Sequence, residues 1–462
     1  KKREFGGGDL YLTPSALERA HEEMSGYIAT MLHAFKKEQP EYAEQFTEAR
    51  EKLFSMMEAG YPLPDLGDED TRLLSGAMIH TILTTGEQNP RRVRAAIGTL
   101  GRMKSEQAIP YLEDLLDSET YRNAAAGALG EIGNNRARTI LMDSLAASEP
   151  GEFQNSLIRA VGKVGGSESV DRILTLTDET EAEEEQKMLT ILRAMSDLAQ
   201  QGNRDRRLYS VLTGHLDHEV PEFRRAAVEG VAAFGGRNAL TELRPMLQDE
   251  KNERVLITLV ESLNTTGDPS VVPAFTSLLE SPGTSSRVKK ETIRAIGKNE
   301  HGARSVTAVL DYLSSDSEEI RSTTAEAIAS LYEKDPQTVI GGLSRAVVQS
   351  DDELFLEEAT ALLARLSDAD ALAAFLKLIE SPYPEVRKNA TRGLYRIRPK
   401  DNTRVVSEVQ KLVTSQTEPL EVRINAVRTL GAIGYDSDRL DVEKTLTTSL
   451  KLRAPEYIML RY

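Results

Sequence analysis

The chain has no cysteine and no tryptophan, and aromatic residues make up only 5% of its 462 positions. The lack of cysteine excludes a disulfide scaffold, a thiolate zinc or iron–sulfur site and a thiol nucleophile. It does not choose a compartment, because a cysteine-free chain suits cytosol and periplasm alike. No apolar run reaches the ~18 residues of a membrane-spanning helix. Positive charge is also short: 57 Lys and Arg stand against 73 Asp and Glu, a net charge of −16. That balance argues against a generic nucleic-acid binder. What remains, 40% hydrophobic and 28% charged residues, fits a folded chain and not a disordered one.

The two ends are unusual. The chain starts Lys1-Lys2-Arg3 and continues through Gly6-Gly7-Gly8. Three cations and a flexible glycine run could flank the cytoplasmic end of a preceding transmembrane helix. A processed soluble terminus is the plainer reading. Location is therefore expected to be cytoplasmic, with a membrane tether as a variant and the periplasm left open. At the other end the tail Glu456–Tyr462 is apolar and aromatic after Pro455. It is expected to fold back over the last helix, with docking on a partner through Tyr457, Ile458 and Leu460 as the alternative.

Between the ends the sequence repeats. Gly130-Glu131-Ile132-Gly133 and Gly431-Ala432-Ile433-Gly434 close two similar helical patterns. Worn copies between and before them can be anchored at Gly101, Gly130, Gly162, Ser196, Ala232, Asn264, Gly297, Tyr332, Ala364, Tyr395 and Gly431. The steps run from 29 to 36 residues and average 33, giving eleven copies. One copy, residues 108–133, reads as an apolar helix through Ile109, Leu112 and Leu116. A break at Asp117-Ser118-Glu119 follows, then a second helix with Ala125, Ala126, Leu129 and Ile132 on one side. Neither helix can bury its stripe alone, so neighbouring copies must stack. No strand pattern recurs, which disfavours propellers and leucine-rich repeats.

The second-helix pattern, aliphatic-Arg-x-x-Ala-x-x-x-Leu-Gly, resembles the HEAT repeat and is similar to its phycobilisome-lyase-type variety. Tyr121-Arg122 to Gly133, Val386-Arg387 to Ile397 and Val422-Arg423 to Gly434 carry it well. Asp117 with Arg122, Asp249 with Arg254 and Asp316 with Arg321 match the family's turn Asp and helix Arg, which the resemblance implies bond between repeats. The expected fold is all-α: a right-handed α-solenoid of about eleven HEAT-like helical hairpins behind a helical N-terminal cap. The expected division is a basic, glycine-rich linker over 1–12, a cap over 13–86 and the solenoid over 87–462. The cap comprises helical segments near 14–37, 40–59 and 68–85, the last two separated by Tyr61-Pro62-Leu63-Pro64.

The resemblance implies that second helices line the concave face. Counting back from each anchor at 100° per residue, positions −9, −5, −4, −1 and +2 are mostly apolar, so −7, −3 and +1 form the exposed stripe. Its basic residues are Arg94, Arg102, Arg159, Lys163, Arg193, Arg225, Lys290, Arg294, Lys298, Arg365, Lys388, Arg392, Arg396 and Arg428. Its acidic residues are Glu131, Asp197, Glu229, Glu261, Glu333 and Glu357. That is 14 against 6 in 33 positions, where the chain average gives about 4 and 5. A chain of net charge −16 thus carries a stripe of about +8. Such a polarised surface would steer an extended acidic protein segment into a groove on the order of 100 Å long. The competing reading is structural, with these cations neutralised inside the ladder.

Enzymatic readings find little support. HEAT-type deoxyhypusine hydroxylases imply four His-Glu pairs; only His21-Glu22 and His218-Glu219 occur. No site specifies phycobilin handling, no phosphate loop or nucleophile elbow is present, and the acidic run 178–185 reads as a solvated helix start. No catalytic, cofactor or metal residue is therefore assigned. HEAT-like DNA glycosylases use a basic surface, but here only Tyr332 and Tyr395 lie near the stripe as stacking rings. The expectation is a non-enzymatic scaffold or adaptor for a protein partner within a larger assembly. A nucleic-acid-binding repeat protein and a repeat enzyme of lyase or hydroxylase type are the alternatives. Oligomeric state is left open.

Overall fold

A computed structural model of the chain describes residues 14–37, 42–59, 61–85, 89–181, 184–399 and 403–433. The tail residues Tyr457, Ile458 and Leu460 and the basic start Lys1–Arg3 lie outside the described residues. Among the described residues every regular element is helical, and no helix is long and apolar enough to cross a membrane.

Three helices come first: α1 (Pro14–Lys37), α2 (Ala43–Glu58) and α3 (Asp68–Thr85). Next follow α4 (Pro90–Arg102), α5 (Ile109–Asp114), α6 (Arg122–Ile132), α7 (Asn135–Ala147), α8 (Glu152–Val164), α9 (Ser167–Glu179), α10 (Glu185–Gln200), α11 (Arg206–Thr213) and α12 (Pro221–Phe234). The chain continues through α13 (Gly236–Asp249), α14 (Glu253–Thr265), α15 (Val271–Glu280), α16 (Ser286–Lys298), α17 (Val306–Leu310) and α18 (Glu318–Lys334). It ends with α19 (Pro336–Gln349), α20 (Glu353–Leu366), α21 (Leu372–Leu378), α22 (Pro384–Ile397), α23 (Thr403–Thr414) and α24 (Leu420–Ile433). Even-numbered helices from α4 onward are the second helices of the hairpins.

The chain divides into two compact units, residues 1–234 and 235–462. In the first, α4, α6, α8, α10 and α12 pack each on the next, and α5, α7, α9 and α11 lie against them; α1 runs along α2, and α3 touches α1 and α4. In the second, α14, α16, α18, α20, α22 and α24 form the inner row, backed by α13, α15, α17, α19, α21 and α23. The product is an all-α solenoid.

Local sequence explains the breaks. Asn134 accepts the Ala137 N–H at 2.9 Å to start α7, and Asp352 accepts that of Phe355 at 3.0 Å to start α20. Proline opens α4, α19 and α22, where no helical N–H is required. Gly133, at φ 73°, ends α6 in the left-handed region that an L side chain enters only at a cost.

What sets the repeat distance is a backbone contact. A Cβ placed on Gly162 of α8 would lie 2.7 Å from the Ala194 Cα of α10, and one on Gly297 of α16 would lie 2.7 Å from the Ala327 Cα of α18. Gly101 with Ala128 and Gly130 with Ala160 repeat the pairing. At these four seams the second helices touch main chain to main chain, which a side chain larger than these small residues would prevent.

Two polar devices join adjacent repeats. In the first, the Arg387 guanidinium donates to the carbonyls of Ser381 and Pro382 at 2.7 and 2.9 Å and to Glu418 of the next repeat at 2.9 Å. Arg321 does the same with the carbonyls of Ser315 and Asp316 and with Glu358. The sequence-based pairing of turn Asp with helix Arg is corrected here. Asp316 offers its backbone carbonyl, the carboxylate comes from a glutamate about one repeat on, and Arg122 lies over the Phe153 ring at 4.9 Å. In the second device, a side chain caps the end of the preceding second helix. The Gln201 amide donates to the carbonyls of Gly162 and Lys163, and Lys334 to those of Gly297, Lys298 and Asn299.

These contacts also correct the register of the eighth copy. Ala327, Arg321 and Lys334 occupy the places of Ala194, Arg387 and Gln201 only if the anchor is Ala329, three residues before Tyr332. A long helix, α18, had masked the offset. The stripe then gains Glu326 in place of Glu333, and its cations are unchanged.

Gly162→Ala should cost about 1–3 kcal/mol by prising α8 from α10. Gly127→Ala, at a helical site with nothing within 4 Å, should gain about 0.5–1 kcal/mol. Thermal unfolding of the two variants beside wild type checks the pair; equal effects would sink the backbone-contact account. Arg387→Ala, which orphans Glu418 and two turn carbonyls, should cost about 2–4 kcal/mol in a denaturant titration.

Candidate partner-binding surface

The second helices orient the stripe. In α8, Leu157, Ile158, Ala160, Val161 and Val164 are buried, and Arg159 and Lys163 are exposed. The same phase holds in each unit. Arg94, Arg102, Arg159, Lys163, Lys298, Arg365, Arg392, Arg396 and Arg428 are exposed, and Arg193, Arg225, Lys290, Arg294 and Lys388 are half-buried.

The cations fall into two groups. Five meet carboxylates: Lys163 with Glu131 at 2.5 Å, Arg225 with Glu229 at 3.7 Å, Arg294 with Glu291 at 2.6 Å, Lys290 with Glu319, and Lys388 with Glu385 and with Glu421 at 3.2 Å. Glu291, Glu319, Glu385 and Glu421 lie off the counted stripe, so a count restricted to three positions per helix missed them. Helical spacing could have found Glu291 and Glu385, each three residues before its cation. Glu319 and Glu421 belong to neighbouring repeats, and only packing brings them in.

The second group forms no ion pair among the described residues. In the first unit it comprises Arg94, Arg159 and Arg193; in the second, Lys298, Arg365, Arg392, Arg396 and Arg428. Three of them make neutral contacts: Arg159 with the Ser156 hydroxyl at 3.1 Å, Arg365 with the Ala325 carbonyl at 3.3 Å, and Arg396 with the Ala364 carbonyl at 3.0 Å. Arg102 donates to the Thr99 hydroxyl at 2.8 Å. A neutral acceptor orients a guanidinium without cancelling its charge, so Arg159, Arg365 and Arg396 keep their field toward solvent.

The acidic members behave differently. Asp197 of α10 is pushed up to about 6, chiefly by burial; Lys163 pulls it down, and Glu229 and Glu131 raise it further. Glu357 of α20 is also raised, first by burial and then by Glu353, Glu385 and Glu358. His218 is a turn residue: its Nδ1 accepts the Val220 N–H at 3.1 Å and its ring stacks on Phe223 at 4.1 Å. Among the described residues no three His, Asp or Glu side chains come together to hold a metal ion.

Asp197 gives a pH prediction. Its folded value lies above that of an unfolded carboxylate, so the protonated form is favoured by folding. Its contribution is full below about pH 4 and is lost as pH rises through about 6. Asp197→Asn should therefore stabilise the protein at pH 7.5 by about 1–2 kcal/mol, once the lost attraction to Lys163 is set against it. The gain should vanish near pH 4. A melting series over that range checks it; a gain independent of pH would reject the ionisation argument.

Comparison with known proteins agrees with this architecture. The signature described as HEAT repeats matches residues 79–162 and 209–287. A HEAT repeat-containing taxis protein of Halobacterium salinarum is 34% identical over 131 residues, covering 27% of this chain and 31% of that relative. Among solved structures, Kap121p bound to Pho4p superposes with a TM-score of 0.51 at 11% identity, over 94% of this chain and 48% of that one. The karyopherin Kap121p bound to the extreme C-terminus of the protein phosphatase Cdc14p gives 0.52 at 12% identity, over 85% and 48%. The chain thus spans about a third of the taxis protein and about half of Kap121p, and likeness at 11–12% identity speaks for the fold alone. The helical hairpins, the glycine–alanine contacts and the signature matched over residues 79–162 and 209–287 together make the fold a HEAT-repeat-like α-solenoid.

Proposed function

We propose that the chain is a non-enzymatic protein-interaction scaffold whose second helices hold an acidic, extended segment of a protein partner. The observation that carries this reading is the group of stripe cations without an ion pair among the described residues, Arg94, Arg159, Arg193, Lys298, Arg365, Arg392, Arg396 and Arg428, in a chain of net charge −16. The ladder arginines Arg321 and Arg387 are matched by carboxylates, which these stripe cations are not among the described residues. The unmatched ones present charge to solvent in register from repeat to repeat. They would steer an anionic chain and set its direction along each unit, while apolar contacts would lengthen its stay. The reading is supported by Kap121p, a protein of similar fold whose structures hold Pho4p and the extreme C-terminus of Cdc14p. The 13–86 helices would cover the first open face of the repeats.

Affinity capture from the native host tests the reading, with wild type beside Arg159→Glu/Arg392→Glu/Arg428→Glu after both are found equally helical. One protein captured by wild type and lost by the variant, with binding falling moderately between low and high salt, is the expected result. The same proteins captured by both would make the stripe structural. Nucleic acid in the wild-type eluate, with steep salt dependence, would replace a protein partner by a polynucleotide.

A further inference from the structure

The last three second helices of the C-terminal unit carry a charge arrangement found nowhere else on the stripe. Positions −3 and +1 of α20, α22 and α24 hold Arg365, Arg392, Arg396 and Arg428, with Ala361 and Ala432 at the remaining two. No acidic residue interrupts them, all four cations are arginine, and all four are exposed. The acids of these helices, Glu353, Glu357, Glu358, Glu385 and Glu421, sit toward the helix starts, where Glu358 engages Arg321 and Glu385 and Glu421 engage Lys388.

Packing places two of the arginines side by side. The Thr429 hydroxyl of α24 donates to the Thr391 carbonyl of α22 at 3.1 Å. Arg392 directly follows Thr391, and Arg428 directly precedes Thr429. The Asn425 amide reaches the Lys388 carbonyl at 3.4 Å, which fixes the same register one turn earlier. Neighbouring helix axes lie about 8–10 Å apart, so two arginine forks can converge on one anion between them. On the α20 side, Asn389 donates to the Glu357 carbonyl, and Arg396 is anchored on the Ala364 carbonyl at the end of α20.

Resting on the scaffold reading, we propose that this patch is the anchor of the surface and takes a phosphorylated residue of the bound segment. A carboxylate has two oxygens and is filled by one guanidinium fork. A phosphomonoester offers three terminal oxygens and a charge of about −1.5 to −2, enough for two forks at once. Lysine would serve a diffuse acidic run as well as arginine does, and the two lysines nearest in kind, Lys290 and Lys388, are already ion-paired. A single-stranded nucleic acid would call for stacking rings beside the cations. Tyr395 does not offer one, because the Arg398 guanidinium lies over its ring at 5.8 Å.

The test uses the full chain and two short fluorescent peptides of equal formal charge, one with two phosphoserines and one with glutamates in their place. Fluorescence anisotropy at near-physiological salt should show the phosphopeptide bound at least about tenfold more tightly, with the advantage shrinking below about pH 6 as the phosphate protonates. Arg392→Gln/Arg428→Gln should remove that advantage, and Arg392→Lys/Arg428→Lys should lose most of it and still bind the glutamate peptide. Arg159→Gln/Arg193→Gln, in the other unit, should leave the preference intact. Equal affinity of wild type for the two peptides, with both weakened by the glutamine pair, would overturn the phosphoryl anchor and leave the acidic-segment reading standing. Failure of wild type to bind either peptide would overturn both.

Discussion

The contact between glycine and alanine main chains on successive second helices governs the rest of this structure. It draws the helices together until no side chain fits between them at that point. Everything larger must then leave the seam to one side or the other. Apolar residues turn toward the first helices and fill the core; polar ones turn the opposite way and become the stripe. On the helices that make this contact, the exposed cations are therefore placed by the same approach that sets the spacing. Where the contact is made by other residues, as where the Thr429 hydroxyl of α24 meets the Thr391 carbonyl of α22, the row still holds but a side chain sits in the seam.

Helical register was legible in the sequence because the repeat is periodic and the period is long enough to average out single substitutions. The hairpins fall where the apolar spacing and the breakers put them, and α1 and α3 occupy the segments read as 14–37 and 68–85. The eighth copy was misplaced by three residues because Leu331 and Tyr332 mimic the aliphatic end of the pattern one turn late. Only the partner helix resolves that ambiguity: Gly297 selects Ala327, and no property of α18 by itself does so.

Charge was less legible than phase. The stripe positions were found from one helix at a time, and all fourteen cations proved to face outward to some degree. Their pairing is a property of neighbours. Glu319 and Glu421 each reach across one repeat to a lysine, and Glu358 and Glu418 do so to the ladder arginines. Such partners stand some thirty residues away at no fixed interval, so a periodic count cannot pick them out. The surface left after this matching is smaller and more concentrated than the full stripe, and it is arginine-rich along α20, α22 and α24.

Helix ends are completed in one direction. The last carbonyls of α8 receive their donor from Gln201, and those of α16 from Lys334, each residue belonging to the repeat that follows. During synthesis from the N-terminus, a finished repeat thus waits for its successor before its final turn is satisfied. When α8 or α16 has just emerged, the end of that helix stays incomplete until the next repeat follows and closes it. Order of manufacture and order of stabilisation coincide, so the solenoid can consolidate behind the ribosome without undoing any bond already made.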